Sequence, residues 1–214
     1  MGIHKDFVLQ KKGYKRKNKR GSYDEKGSVI IGLLGTGPKV GVTHLCILMA
    51  NYFCSGCGKK TSVLEWNHHG DFARFGSVCT GMGQKEDFYQ IQGVTYYPEA
   101  DERKLAQCLK DECENIIIDF GVMRGQEPAE LLRCHKAFLV VSFSEWQEGA
   151  FGNQNVWKER AIQNSWHCLA AFGSEESRIQ WNKLYRPTVL RIPLSVDAFT
   201  LTKELMDWMK RLEG

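Results

Sequence analysis

No apolar run in this sequence approaches the roughly 20 residues that a membrane-spanning helix needs, so an integral helical membrane protein is not expected. The basic N-terminus has no apolar core ahead of a small-residue cleavage site, so it does not read as a secretory signal. Eight cysteines are present without the regular spacing of a disulfide framework, which fits a reducing cytoplasm and mostly buried thiols. Cys54-Ser-Gly-Cys57 is a CxxC, but no second pair stands at zinc-ribbon spacing. A Ser/His/Asp triad, a dinucleotide fingerprint with its ribose acid, a zinc set and an internal repeat are all missing. These absences leave a cytoplasmic globular protein whose chemistry must lie elsewhere.

What is present is ordinary globular material, 43% hydrophobic and 25% charged over 214 residues, most simply a single folded domain. Charge is uneven. Residues 1–28 hold nine Lys/Arg against Asp6, Asp24 and Glu25, a net of +6, so the rest of a chain of total charge +4 carries −2. The stretch "GYKRKNKRGSYDEKGS" has too little apolar surface to offset the entropy of ordering it. We therefore expect a basic flexible arm over 1–27 and a folded domain over 28–214. Weak contact with DNA or an anionic membrane surface, the latter placing the protein peripherally at a membrane, is one use for such an arm; a solubilising linker is the other. Deleting residues 1–27 is expected to abolish salt-sensitive polyanion binding and leave the melting temperature nearly unchanged. Equal polyanion binding by the truncated chain, measured by titration across a salt series, would reduce the arm to a linker.

From Ser28 onward the pattern alternates. Strand-like runs appear at "SVIIGLLGT", "TSVLEWN", "GVTYYP", "ENIIIDFG", "KAFLVVSFS", "WHCLAAFG" and "RPTVLRIP". Leu45, Leu48, Met49, Tyr52 and Phe53 repeat at helix spacing, with Gly56 and Gly58 as the stop. Leu105, Cys108 and Leu109 mark a second helix, and "DAFTLTKELMDWMKRL" a third. Uninterrupted Val/Ile/Leu strands demand cover on both faces. The expectation is a three-layer α/β domain with a mostly parallel, helix-flanked sheet of about seven strands.

In such sheets ligands sit beyond the carboxyl ends of the strands. "GTGPKVGVTHL" follows the first strand and opens a helix, where backbone N–H groups and the helix dipole favour phosphate. Gly35, Gly37 and Gly41 supply backbone freedom, and Thr43 supplies a hydroxyl suited to Mg²⁺. Against G-x-x-x-x-G-K-[ST], Gly41 and Thr43 match, whereas Thr36 replaces the first glycine and Val42 the lysine. A glycine turn of simple packing value explains the same residues. "IIIDFG" ends in Asp119, the form of a strand whose acid holds a Mg²⁺ water shell; a helix N-cap, or a partner for Arg124, is the alternative. Glu65 ends "SVLE" and puts a second carboxylate beside the loop if the first two strands lie close.

These three blocks together resemble the deviant-Walker ATPases of the ParA/MinD type, most of all the TadZ/CpaE-like branch linked to pilus assembly and polar localisation. The similarity runs from about Ser28 to the end, with the first two blocks the distinctive ones. The family's K-G-G-V-G-K-T-T falls on Gly37, Pro38, Lys39, Val40, Gly41, Val42, Thr43 and His44. Glu65 and Asn67 stand for two aspartates of the following strand, and "RIPLSVDAF" resembles the segment that lines the nucleotide base. The resemblance implies ATP and Mg²⁺ as cofactors, Thr43 and Asp119 on the metal side, and Glu65 as the water-positioning carboxylate. Cofactor contacts would come from Gly37, Lys39, Val40, Gly41, Val42, Thr43 and His44. It also implies a homodimer closed around two nucleotides and used as a spatial switch.

Both family lysines are gone, replaced by Gly37 and Val42. Each is a charge-assisted contact of roughly 1.5–3 kcal/mol, so the in-loop loss alone weakens binding by about 10- to 150-fold. It also removes stabilisation of the charge that develops on a transferred phosphate. Glu65 is one methylene longer than aspartate, which displaces geometry that catalysis needs tight. Lys39 has a stem flexible enough to substitute, or is a solvated loop charge. His68-His69-Gly70-Asp71 with Cys79 is either a metal group or a polar loop. Glu145, Trp146 and Glu148 stand after the fifth strand as partner or base contacts, or beside a helix cap at Ser144. Three functions follow. One is a degenerate nucleotide-binding adaptor for localisation or for pilus or secretion assembly, another is an active ATPase switch completed by Lys39 or a partner, and the last is a partition protein binding nucleic acid through its arm.

Overall fold

The computed structural model describes residues 27–81, 87–122, 128–144, 159, 161 and 166–213. Residues 1–26 of the basic arm, Arg124, and Glu145, Trp146 and Glu148 lie outside the described residues. Described strands are β1 (Val29–Gly35), β2 (Thr61–Glu65), β3 (Tyr89–Ile91), β4 (Val94–Tyr97), β5 (Asn115–Val122), β6 (Lys136–Phe143), β7 (His167–Gly173) and β8 (Val189–Arg191). They form one sheet in the order β3-β4-β2-β5-β1-β6-β7-β8. Every pair is parallel except β3–β4. The three-layer α/β reading holds, with eight strands where the sequence pattern marks seven.

The additional strand is β3, three residues long and too short to register as a periodic run. Gln92 (φ 50°) and Gly93 (φ 84°) both lie at positive φ, as a type I′ hairpin turn requires. Tyr89 faces Tyr96 across this hairpin with rings stacked at 5.4 Å, and the Tyr89 hydroxyl donates to Phe72 O at 2.7 Å. The hairpin therefore seats a helix that follows β2.

Described α-helices are α1 (Val42–Asn51), α2 (Asp71–Thr80), α3 (Glu102–Lys110), α4 (Glu175–Leu184) and α5 (Lys203–Glu213). A π-turn over Tyr52–Gly56 extends α1, and Gly58 (φ 70°) ends it by donating to Cys54 O at 3.0 Å. α5 starts six residues later than the apolar pattern suggests. Asp197 first folds into a turn by accepting from Phe199 N and the Thr200 hydroxyl, and Thr202 then caps the helix through Leu205 N. Leu109, one of the three residues that mark α3 in the sequence, is 44% exposed; Leu105 and Cys108 carry the buried face of this helix.

Two cores sandwich the sheet. α1, Phe72 of α2 and α5 pack on one face with Ile31, Leu33, Val63 and Ile117. α3, Leu131, Trp166 and partly buried Trp181 of α4 pack on the other with Leu34, Leu64, Ile116 and Ile118. Among the described residues no helix is long and apolar enough to cross a membrane.

Candidate functional site

The carboxyl ends of β1, β2 and β5 bring the predicted residues together. In the parallel register Asp119 lies between Leu33 of β1 and Glu65 of β2, on the face that α1 covers. The Thr43 hydroxyl, one residue into α1, donates to Asp119 Oδ2 at 2.7 Å, and Gly121 N donates to Oδ1 at 2.8 Å. Asn67 donates to the Asp119 carbonyl at 3.2 Å. Burial raises the Asp119 pKa to about 6 and the Glu65 charge adds to the rise, against the opposing hydrogen bonds from Thr43, Gly121 and Asn67. The backbone donor to its carboxylate is Gly121 N within β5, so Asp119 caps none of the described helices.

The loop from Gly35 to Gly41 turns over these strand ends. Gly41 (φ 101°) is the N-cap of α1, and no side chain caps that terminus. Its first-turn N–H groups are thus of the kind an anion satisfies. Val40 (1% exposed) and Val42 (7% exposed) turn inward. A Cβ on Gly35 would lie 2.7 Å from a Val40 methyl and 2.8 Å from a Val42 methyl, so the loop is packed on its own valines. Gly37 is buried, while Lys39 is exposed at φ 60° and stands outside this packing. The Phe172 ring at the end of β7 lies beside Gly41.

Glu65 is fully buried and sits at the N-terminus of α2. Its Oε1 accepts from Asp71 N at 2.6 Å and Phe72 N at 3.3 Å, while Oε2 is buried without a partner. The carboxylate thereby does the capping that Gly70, the N-cap residue, cannot do with a side chain. Glu65→Ala is expected to cost about 1–3 kcal/mol more stability than Glu65→Gln, which keeps an acceptor for both N–H groups. Equal melting temperatures for the two variants would show that the cap contributes nothing.

His44 reaches the segment that follows β8. Its Nε2 is 3.0 Å from the Ser195 hydroxyl, and burial lowers its pKa against the opposing pull of Asp197. Asn51 donates to Ala198 O at 3.2 Å, and Phe75 of α2 stacks on Phe199 at 5.3 Å. The segment 195–199 is thus fastened to both α1 and α2. Sequence reading missed Asn67 as an Asp119 partner, Gly121 as a donor and this triple fastening. The Ser-x-Asp turn at 195–197 was the one available signal for the last. His68 and His69 are exposed and Asp71 pairs with Arg74; among the described residues no three metal-ligating side chains converge. Cys54 and Cys57 are free thiols at the end of the π-turn.

No family model matches the chain, and no curated protein matches it either. Solved structures do. A plasmid partition protein from Borrelia burgdorferi B31 bound to AMPPNP superposes with a TM-score of 0.57 at 12% identity, covering 87% of this chain and 97% of that one. A ParA family ATPase from Chlorobium tepidum TLS gives 0.55 at 12% identity, covering 81% and 88%. At these identities the likeness is one of fold, and it spans nearly all of each neighbour. This chain has the α/β fold of the ParA-family ATPases.

Proposed function

We propose that this protein is a degenerate ParA/MinD-like nucleotide binder that works as a localisation or assembly adaptor rather than as an efficient ATPase. The observation that carries this reading is a split between the two halves of one site. Thr43 and Asp119 keep the hydroxyl–carboxylate pair of a Mg²⁺ site, while Val42 is buried against Gly35 where the phosphate-gripping lysine would stand. ATP with Mg²⁺ therefore fits the backbone and metal side of the site and lacks its cationic side chains. Were it bound, the α1 N-terminus would hold phosphate, Thr43 and Asp119 would hold the metal's shell, and residues 195–199 would lie beside the base. Nucleotide supplies the energy of a conformational switch in such a protein; here, with Gly37 and Val42 for lysines, little stabilises charge on a γ-phosphate.

A TadZ/CpaE-like role at a pilus or secretion assembly, exercised as a homodimer, belongs to the same reading. A neighbour of this fold binds AMPPNP, which supports keeping nucleotide in it. The test is calorimetric titration with ATP and Mg²⁺, read beside the mass of the protein with and without nucleotide. Weak saturable binding with background turnover is expected. Robust hydrolysis abolished by Lys39→Ala would overturn the proposal in favour of an active switch, because exposed Lys39 would then be supplying the missing charge.

A further inference from the structure

We infer that the opposite end of the sheet carries a second binding site, for a small aromatic carboxylate. A cavity of about 180 Å³ opens where β1, β5 and β6 begin, beneath α1 and the end of α5. The register places its wall residues side by side, Val29 beside Asn115 and Ile31 beside Lys136. The apolar body of the cavity is made by Val29, Ile31, Phe53, Phe138 and Met209. A void of roughly 150 Å³ lined by apolar side chains is large enough to take up benzene, so this one holds a single ring and little more. That excludes a nucleotide or an acyl chain as its occupant.

Two polar features set the ligand's chemistry. Asn115 is 2% exposed and its amide nitrogen is buried without a hydrogen-bond partner. An unpaired buried amide costs free energy that an acceptor on a ligand would recover. Lys136 Nζ donates to the Leu212 carbonyl at 3.0 Å and the Glu213 carbonyl at 2.7 Å at the end of α5. An ammonium has three donors, so one remains, and no carboxylate among the described residues pairs with it. Lys59 and Glu213 at the rim pair with each other at 3.4 Å, with Tyr52 donating to the same carboxylate at 2.8 Å. Their charges offset, leaving the Lys136 charge to select an anion. An apolar body with a few convergent polar groups is the usual make-up of a small-molecule site. This site lies at the strands' amino ends, away from Asp119, and stands independently of the nucleotide reading.

The experiment titrates the full chain with benzoate and with benzyl alcohol, its neutral counterpart, by calorimetry or ligand-observed NMR. Benzoate is expected to bind at least about tenfold tighter, a difference of about 1.4 kcal/mol. Lys136→Met keeps the stem and removes the charge, and is expected to erase the preference. Val29→Phe fills the mouth and is expected to abolish binding of both compounds, with circular dichroism verifying its fold. Absent benzoate binding, equal affinity for the two compounds, a preference that survives Lys136→Met, or binding that survives Val29→Phe in a folded protein would each overturn the inference.

Discussion

Val42→Lys is expected to tighten ATP binding by about 10- to 150-fold, the equivalent of roughly 1.5–3 kcal/mol. The prediction depends on what Val42 now does. Its methyl lies against Gly35 with that of Val40, so the loop's interior is apolar and closed on itself. Lysine at this position loses that contact but gains a phosphate once nucleotide is present, and its flexible stem can follow the loop outward. Without nucleotide the variant should be less stable by about 1–2 kcal/mol, the value of burying much of one valine side chain. Hydrolysis should rise far less than affinity, because Gly37 still replaces the second lysine and Glu65 is still engaged with Asp71 N and Phe72 N. Calorimetry and a steady-state phosphate assay separate the two effects. No gain in affinity would mean that the valine packing holds the loop shut, and that the stretch survives only as a turn.

Asp119→Asn is expected to change stability in a direction that reverses the usual behaviour of acids. Most native carboxylates are held below their unfolded pKa and stabilise the fold at neutral pH. Asp119 is raised from 3.8 to about 6, chiefly by burial. The folded state therefore binds the proton more tightly than the unfolded one. The stability this provides is complete below about pH 4 and is lost as pH rises through about 6. That rise in pKa corresponds to roughly 3 kcal/mol forfeited at pH 7. Asparagine cannot ionise, so relative to the native protein the variant should gain stability between pH 4 and 7. A weakened Thr43 or Gly121 hydrogen bond removes about 1 kcal/mol of the gain. Denaturant melts of both proteins at pH 4, 5.5 and 7 measure it, and a native–variant difference that stays flat across that range would refute it. Any Mg²⁺-dependent nucleotide binding should be lost in the same variant.

The central sheet was legible because β1, β5 and β6 are buried on both faces and carry runs of Val, Ile, Leu and Phe, and because β2 beside β5 keeps Val63 and Leu64. Asp119 was legible for the same reason, since an acid at the end of three isoleucines stands out from its surroundings. The elements that escaped depend on contacts rather than on local pattern. β3 exists because Tyr89 finds Tyr96 and Phe72. α4 buries no residue fully, so it has no apolar stripe to read; it is held by its Ser174 cap and by the Glu175, Arg178 and Arg191 cluster. In the site, the resemblance supplied Glu65 as a water-positioning group, but nothing in the sequence pattern could foresee its bond to the α2 terminus. That bond exists only because Gly70, at φ 69°, turns the chain back on itself.

The strand order also governs how the polypeptide reaches this state. β1, which leads into the glycine loop, finds neither of its neighbours nearby in sequence: Ile31 pairs with Ile117 on one side and Lys136 on the other. Pairings that close such long loops are slow to form. At a ribosomal rate of about 5–20 residues per second, β1 emerges some 6 to 23 seconds before β6 is complete. Until β5 emerges "VIIGLLG" is an unpaired apolar strand with no charge and no proline, a composition prone to intermolecular association, and its other edge stays open until β6 follows. The loop after β1 is therefore synthesised before both of the strands that hold β1 in place. A fragment ending before Asn115 would expose β1 without either of its neighbours, and the yield of native protein should respond to chaperone supply more than to the stability of the finished domain.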